Sequence, residues 1–129
     1  MKKKYLIVVA DYYEDIAKGL LDNALKLIPK TNLIKTIKVP GVFEIPVTIS
    51  KNIKKYDVFL ALGCVIKGKT PHFDFISQAT TNAIMYLSIT NKKPIGNGII
   101  TCLNMSQAKI RKKKGAEAAK AVISILSQK

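Results

Sequence analysis

Apolar positions recur along this chain in two alternating rhythms. Tyr5-Leu6-Ile7-Val8-Val9-Ala10 is a continuous apolar run, the pattern of a strand covered on both faces. After Asp11-Tyr12-Tyr13 the period lengthens, and Ile16, Ala17, Leu20, Leu21, Ala24, Leu25 and Ile28 fall at helical spacing. Asp11 is placed to cap that helix, Glu14 and Asp15 suit its first turn, and Pro29 stands just past its end. Asn32 to Val39 alternates between apolar and polar, which predicts a strand with one more exposed face, an edge. Pro40-Gly41 turns the chain. Phe43-Glu44-Ile45-Pro46 opens a second helix, with Pro46 in the first turn, where a missing N–H costs nothing. Ile45, Val47, Ile49 and Ile53 form its inward set, to about Lys55.

Val58 to Leu62, or a little further, reads as a third buried strand. A polar loop from Gly63 to about His72 follows, and then a long helix over Phe73–Thr90 with Phe75, Ile76, Ala79, Ala83, Ile84 and Leu87 on one side. Asn91-Lys92-Lys93-Pro94 ends it. Ile95 to Thr101 is a fourth strand, and its Gly96-Asn97-Gly98 predicts close approach of a ligand or another chain. Ser106 begins a short helix that Gly115 interrupts. Ala116 to Leu126 forms the last helix, with Ala119, Val122, Ile123 and Leu126 as its stripe. Strands that alternate with helices imply parallel pairing and right-handed crossovers. The expected fold is a three-layer α/β/α sandwich, flavodoxin-like, with about four parallel strands in a single domain over 1–129.

Composition adds limits. At 129 residues and 48% hydrophobic content the chain can bury a proper core and carries no disordered segment. No apolar run is long enough to span a bilayer. Met1-Lys2-Lys3-Lys4 resembles the start of a signal peptide, but the apolar run after it is too short and has no cleavage pattern. The expectation is a cytoplasmic protein that does not engage membrane. The net charge of +14 admits a nucleic acid, an acidic partner or an anionic substrate. The lysines are scattered along the chain, which argues for solvated faces rather than a nucleic-acid stripe. Of 22 basic residues only Arg111 is an arginine, in the densest basic run, Lys109 to Lys114. A guanidinium in a chain that otherwise uses lysine points to planar, forked recognition such as a phosphate.

The polar loop after the third strand holds the only histidine, His72, and leaves the carboxyl end of a strand, the usual place for a site in a parallel sheet. Gly63-Cys64-Val65-Ile66-Lys67-Gly68-Lys69-Thr70 formally matches a P-loop. Pro71-His72 stands where that loop's helix should begin, Val65-Ile66 is apolar for a phosphate cradle, and no later strand ends in an acidic residue to help hold magnesium. Cys64 and Cys102 lack metal-ligand spacing, and we expect no metal; they read as buried free thiols.

Val39-Pro40-Gly41-Val42-Phe43-Glu44-Ile45-Pro46, Leu62 to Asp74, Gly98-Ile99-Ile100-Thr101, and Gln107-Ala108 with Arg111 together resemble the lumazine synthase family. The resemblance covers nearly the whole chain in order. It implies 6,7-dimethyl-8-ribityllumazine synthase activity, the penultimate step of riboflavin biosynthesis. In that reaction 5-amino-6-(D-ribitylamino)uracil is joined to 3,4-dihydroxy-2-butanone 4-phosphate, with loss of phosphate and water and without a cofactor. Residue by residue, it implies His72 as general acid/base, and imidazole is the side chain that exchanges a proton near neutral pH. It implies Lys69 and Thr70 at the phosphate, and Arg111 at the same phosphate from a neighbouring subunit. It implies Tyr12 stacked on the pyrimidine, and Val42, Phe43 and Glu44 along the ribityl chain. Cys64, Val65 and Ile66 would grip the pyrimidine through backbone, and Asn97 would reach the ring from the adjacent subunit.

Two positions depart from the family pattern: Asn97, where many relatives carry Phe, and Asp11, where some carry Arg. The connection Lys112-Lys113-Lys114-Gly115 is also shorter than in some relatives. The family is pentameric, with sites at subunit interfaces, and riboflavin synthase is a candidate partner. A non-catalytic flavin- or lumazine-binding protein of the same fold is the alternative that the departures keep open.

Overall fold

The computed structural model describes residues 2–128. Strands β1 (Lys4–Ala10), β2 (Leu33–Val39), β3 (Val58–Ile66) and β4 (Ile95–Cys102) form one parallel sheet in the order β2-β1-β3-β4. The chain crosses between strands through α1 (Glu14–Leu27), α2 (Ile45–Asn52) and α3 (His72–Asn91), and closes with α4 (Met105–Ile110) and α5 (Lys114–Leu126). Every position of β1 from Tyr5 onward is buried, because alternate residues feed two separate cores. Tyr5, Ile7 and Val9 join the core under α1, α4 and α5; Leu6, Val8 and Ala10 join the core under α2 and α3. The expected three layers are present, and β2 is an edge strand with an alternating burial pattern.

Several local expectations need correction. Asp11 does not cap α1: its N–H donates to Val39 O at 3.1 Å, Tyr13 occupies the cap position, and the helix has no side-chain cap. α2 is preceded by a 3-10 turn at Val42–Glu44 and buries only Ile45 and Ile49; Val47 is 58% exposed. β3 runs to Ile66, so Gly63, Cys64, Val65 and Ile66 are strand rather than loop. Their pairing with Ile99, Ile100, Thr101 and Cys102 supplies the ladder that extends it. α3 keeps part of the expected stripe: Ile84 is buried and Ile76 and Leu87 pack against the same core, whereas Phe75 is 68% exposed, Ala79 is exposed and Thr80 is buried.

The glycines of β4 are close-packed within the chain itself. A Cβ at Gly96 would meet the Ala118 carbonyl of α5 and Leu60 of β3, and one at Gly98 would meet Leu62 and Ala118. Within the chain, the close approach at these glycines is made by α5 and β3. Gly115 does not interrupt a helix. It lies in the first turn of α5, where any Cβ would strike the Leu20 carbonyl of α1.

Candidate active site

The carboxyl ends of the strands converge on two concave regions. The larger, about 660 Å³, is lined by Tyr12, Tyr13, Gly41, Val42, Phe43, Glu44, Cys64, Val65, Ile66, His72 and Ile76. It draws on three strand ends. β1 delivers the two tyrosines, β2 leads into the 3-10 turn, and β3 leads through the Lys67–Pro71 loop to α3. Tyr12 and Tyr13 stack edge-on with centroids 4.9 Å apart, and Tyr12 is 75% exposed, its ring open to whatever enters. Burial pushes the Tyr13 hydroxyl above its ordinary pKa, with the Cys64 thiol adding to the effect.

Gly63 explains how the 3-10 turn comes so near the sheet. The Cβ it lacks would lie 2.8 Å from Val42 Cγ2 and 3.1 Å from Ala10 Cβ. Val42 is seated in that gap and buried, which leaves Phe43 and Glu44 turned outward at the cavity rim. Cys64 is 8% exposed, and burial, with the neighbouring Cys102, pushes its thiol up to about 12. It is thus a protonated, unreactive wall of the cavity rather than a nucleophile.

His72 is the first residue of α3, after Pro71, and is exposed. Its N–H donates to Thr70 Oγ1 at 3.4 Å, while Asp74 N and Phe75 N both donate to Pro71 O. Among the described residues, the backbone N–H groups of Gly68, Lys69 and Thr70 find no partner in the chain. Unpaired donors on a loop that enters a helix are a general anion-holding arrangement. Lys69 and Thr70 lie on that loop beside the cavity, not in its wall.

The second region, about 550 Å³, lies on the far side of β4 and is lined by Asn97, Ile99, Ile100, Thr101, Ile110, Arg111, Lys113, Lys114 and Glu117. Asn104 caps α4 by accepting from Gln107 N at 2.9 Å, and Gln107 Oε1 accepts from Leu103 N, so the turn that carries Arg111 is fixed at its start. Arg111 Nη1 donates to Thr101 O at 3.2 Å and reaches Cys102 Sγ at 3.9 Å. These contacts leave most of the guanidinium fork free. Lys114 pairs with Glu117 at 3.7 Å, so the hollow keeps a net positive charge. Asn97 Oδ1 accepts from Ile99 N at 3.0 Å, which holds its side chain against its own strand.

Eight of the expected site residues thus share one cavity: Tyr12, Val42, Phe43, Glu44, Cys64, Val65, Ile66 and His72. Asn97 and Arg111 share the other, and within one chain the two cavities do not merge. Sequence reasoning passed over Tyr13, Gly41 and Ile76, and over Lys113, Lys114 and Glu117. The tandem tyrosine after β1 and the dense basic run around Arg111 were the available signals. No group of acidic, histidine or cysteine side chains among the described residues is arranged to hold a metal.

Comparison with known proteins gives a consistent result. The profile of one protein family, 6,7-dimethyl-8-ribityllumazine synthase, matches residues 2–129. The 6,7-dimethyl-8-ribityllumazine synthase 1 of Rhodopseudomonas palustris is 41% identical across 95% of this chain and 83% of its own length. The 6,7-dimethyl-8-ribityllumazine synthase of Bartonella tribocorum is 40% identical across 100% of this chain and 93% of its own. The Agrobacterium fabrum enzyme of the same name is 38% identical, across 100% and 97%.

Proposed function

The chain belongs to the 6,7-dimethyl-8-ribityllumazine synthase family, and we propose that its active site is completed between two copies of the chain, the His72 cavity of one facing the Arg111 hollow of the next. The enzyme joins 5-amino-6-(D-ribitylamino)uracil to 3,4-dihydroxy-2-butanone 4-phosphate and releases phosphate. The observation that carries the site assignment is the convergence of eight residues from separate stretches on one cavity, with the loop donors beside it.

In the proposed site the pyrimidine lies against Tyr12 and the backbone at Cys64, Val65 and Ile66. The ribityl chain runs along Val42, Phe43 and Glu44. The phosphate rests on the N–H groups around Lys69 and Thr70, with the neighbour's Arg111 supplying a charged fork. The 5-amino group of the uracil adds to the ketone carbon and water is lost. A proton and phosphate are then eliminated, the phosphate leaving with the electrons of its C–O bond. The enol so formed becomes a carbonyl, and the second amine closes the ring on that carbon with loss of a second water. Each step moves a proton, and His72, which lines the cavity, is the imidazole available to carry it. A buried, protonated Cys64 does not compete as a nucleophile.

Apolar surface supports the assembly. Phe75, Met85, Tyr86 and Ile89 of α3 are exposed, as are Phe43 and Val47 beside α2. An apolar groove lined by Phe43, Pro46, Val47, Ala79 and Ala83 lies between the two helices. A continuous patch of this kind marks an interaction face. We read it as the contact between copies in a homopentamer, with Asn97 and Arg111 brought to the neighbour's cavity by the same closure. Action on small diffusing substrates and two unpaired thiols support a cytoplasmic setting, and riboflavin synthase is a candidate partner.

The direct test mixes the protein with both substrates and follows the lumazine chromophore. Product formation supports the assignment. Tight binding of flavin or lumazine without product would replace it with a non-catalytic binder.

A further inference from the structure

A group of the lysines that look scattered along the sequence is gathered in space. Because the sheet is wholly parallel, the amino ends of all four strands and the carboxyl ends of the crossover helices meet at one pole. Direct contacts tie this pole together. Leu33 N donates to Lys3 O, Asp57 N donates to Lys4 O, and Lys93 Nζ donates to Ile53 O and Tyr56 O. A shallow hollow there brings Lys4 and Lys55 to the same wall. The pole gathers Lys2-Lys3-Lys4, Lys30, Lys54-Lys55 and Lys92 around one carboxylate, Asp57.

None of these lysines takes part in an ion pair among the described residues. Asp57 instead accepts from the Lys4 N–H at 2.9 Å. Most of the other carboxylates, among them Asp11, Glu14, Asp15, Glu44 and Asp74, lie toward the opposite, carboxyl pole, where the cavity opens. The helix dipole accounts for a cation or two at each helix end. It does not account for three consecutive lysines leading into a strand, nor for the lack of carboxylates to neutralise the cluster.

We propose that this amino pole is a second, non-catalytic binding surface that takes the phosphate backbone of a nucleic acid without reading its sequence. Lysine ammonium groups are compact point charges suited to neutralising phosphates. The pole presents no arginine. Its aromatic ring Tyr56 is half-buried and set edge-on to Phe59 at 6.3 Å, so it offers no stacking platform for bases. A protein partner fits less well, because lysine is depleted from protein interfaces and their anchors are aromatic or arginine side chains.

The test uses the whole protein and a fluorescein-labelled single-stranded RNA of about 20 nucleotides, longer than a single-domain footprint. Anisotropy titrations run between about 50 and about 200 mM salt. The expected result is micromolar to sub-millimolar binding with a steep salt slope. Replacing Lys30, Lys54 and Lys55 together with glutamine should flatten the log–log slope by about 2, since each single-strand phosphate contact contributes roughly 0.7. The equally charged control, Lys18, Lys38 and Lys120 to glutamine, should leave the slope within about 0.5 of the parent value. The single replacements Lys30→Gln and Lys54→Gln should each give about one third of the triple effect, which separates lost contacts from lost structure. Three results would overturn the proposal: no binding at low salt, equal losses in both triples, or binding to anionic phospholipid vesicles but not to the RNA.

Discussion

Replacing Gly63 with alanine tests how the sheet positions the cavity floor. The new methyl would stand 2.8 Å from Val42 Cγ2, 3.1 Å from Ala10 Cβ and 3.7 Å from Ile45 Cδ1. Comfortable carbon contacts lie at about 3.5–4.0 Å, so Val42 must retreat by roughly 0.7 Å or more. Val42 is buried against β3 and belongs to the 3-10 turn, so its displacement passes to that turn and moves Phe43 and Glu44 with it. Overpacking of this kind costs about 1–3 kcal/mol. For a chain of this length that lowers the midpoint of thermal unfolding by roughly 3–12 °C. The Michaelis constant for the ribitylaminouracil should rise in the same variant, because its ribityl contacts have moved. Gly68→Ala is the matched control: a Cβ there meets nothing within 4 Å, and its midpoint should match the parent's. Differential scanning calorimetry and steady-state kinetics on the two variants give both readouts. If Gly63→Ala unfolds within about 1 °C of the parent and binds substrate unchanged, the packing of the 3-10 turn on β3 does not position the cavity.

Other consequences are equally direct. Lys93→Met removes donors at 2.7 and 2.9 Å from two carbonyls at the end of α2, and should cost about 1–3 kcal/mol in urea unfolding with an unchanged denaturant slope; no loss would mean that the bonds are not formed in solution. The Cys64 thiol is raised from 9.0 to about 12 in the folded chain, so its contribution is fully present below pH 9 and is lost as pH rises toward 12. Cys64→Ala should flatten that alkaline decline, and an identical decline in both proteins would contradict it. Arg111→Ala should raise the Michaelis constant for the butanone phosphate about 10- to 100-fold through loss of a charge-assisted contact. His72→Ala should lower kcat about 10²- to 10⁴-fold without a change in unfolding midpoint. An unchanged rate in the His72 variant would remove its acid/base role.

Much of this architecture is legible in the residues. The apolar run in β1 and the helical spacing of Ile16, Ala17, Leu20 and Ala24 announce buried strand and amphipathic helix, because both burial patterns are periodic in sequence. What the sequence obscures is burial that depends on partners. Phe75 and Val47 have the spacing of core residues but face outward, since apolar periodicity does not distinguish a core from an interaction face. Gly96 and Gly98 signal a close approach without naming the neighbour, which proves to be α5 and β3. The length of β3 was set by its pairing with β4, a long-range fact that no local window contains. At the site, the stretches around Val42 and His72 are recognisable by motif, and the structure brings them together. Tyr13 enters the cavity beside Tyr12 only because of how the chain leaves β1. Asn97 and Arg111 could be picked out as residues, but their distance from His72 within one chain appears only in the fold.

The central claim is that one site draws on two chains. Co-expressing His72→Ala and Arg111→Ala chains, assayed with the butanone phosphate held well below the parent Michaelis constant so that each is strongly impaired alone, tests it most directly. In randomly mixed rings about a quarter of the seams would join an intact His72 cavity to an intact Arg111 hollow, so lumazine formation should return to roughly a quarter of the parent rate. Mixed rings that assemble normally but form no more lumazine than either variant alone would contradict the shared site.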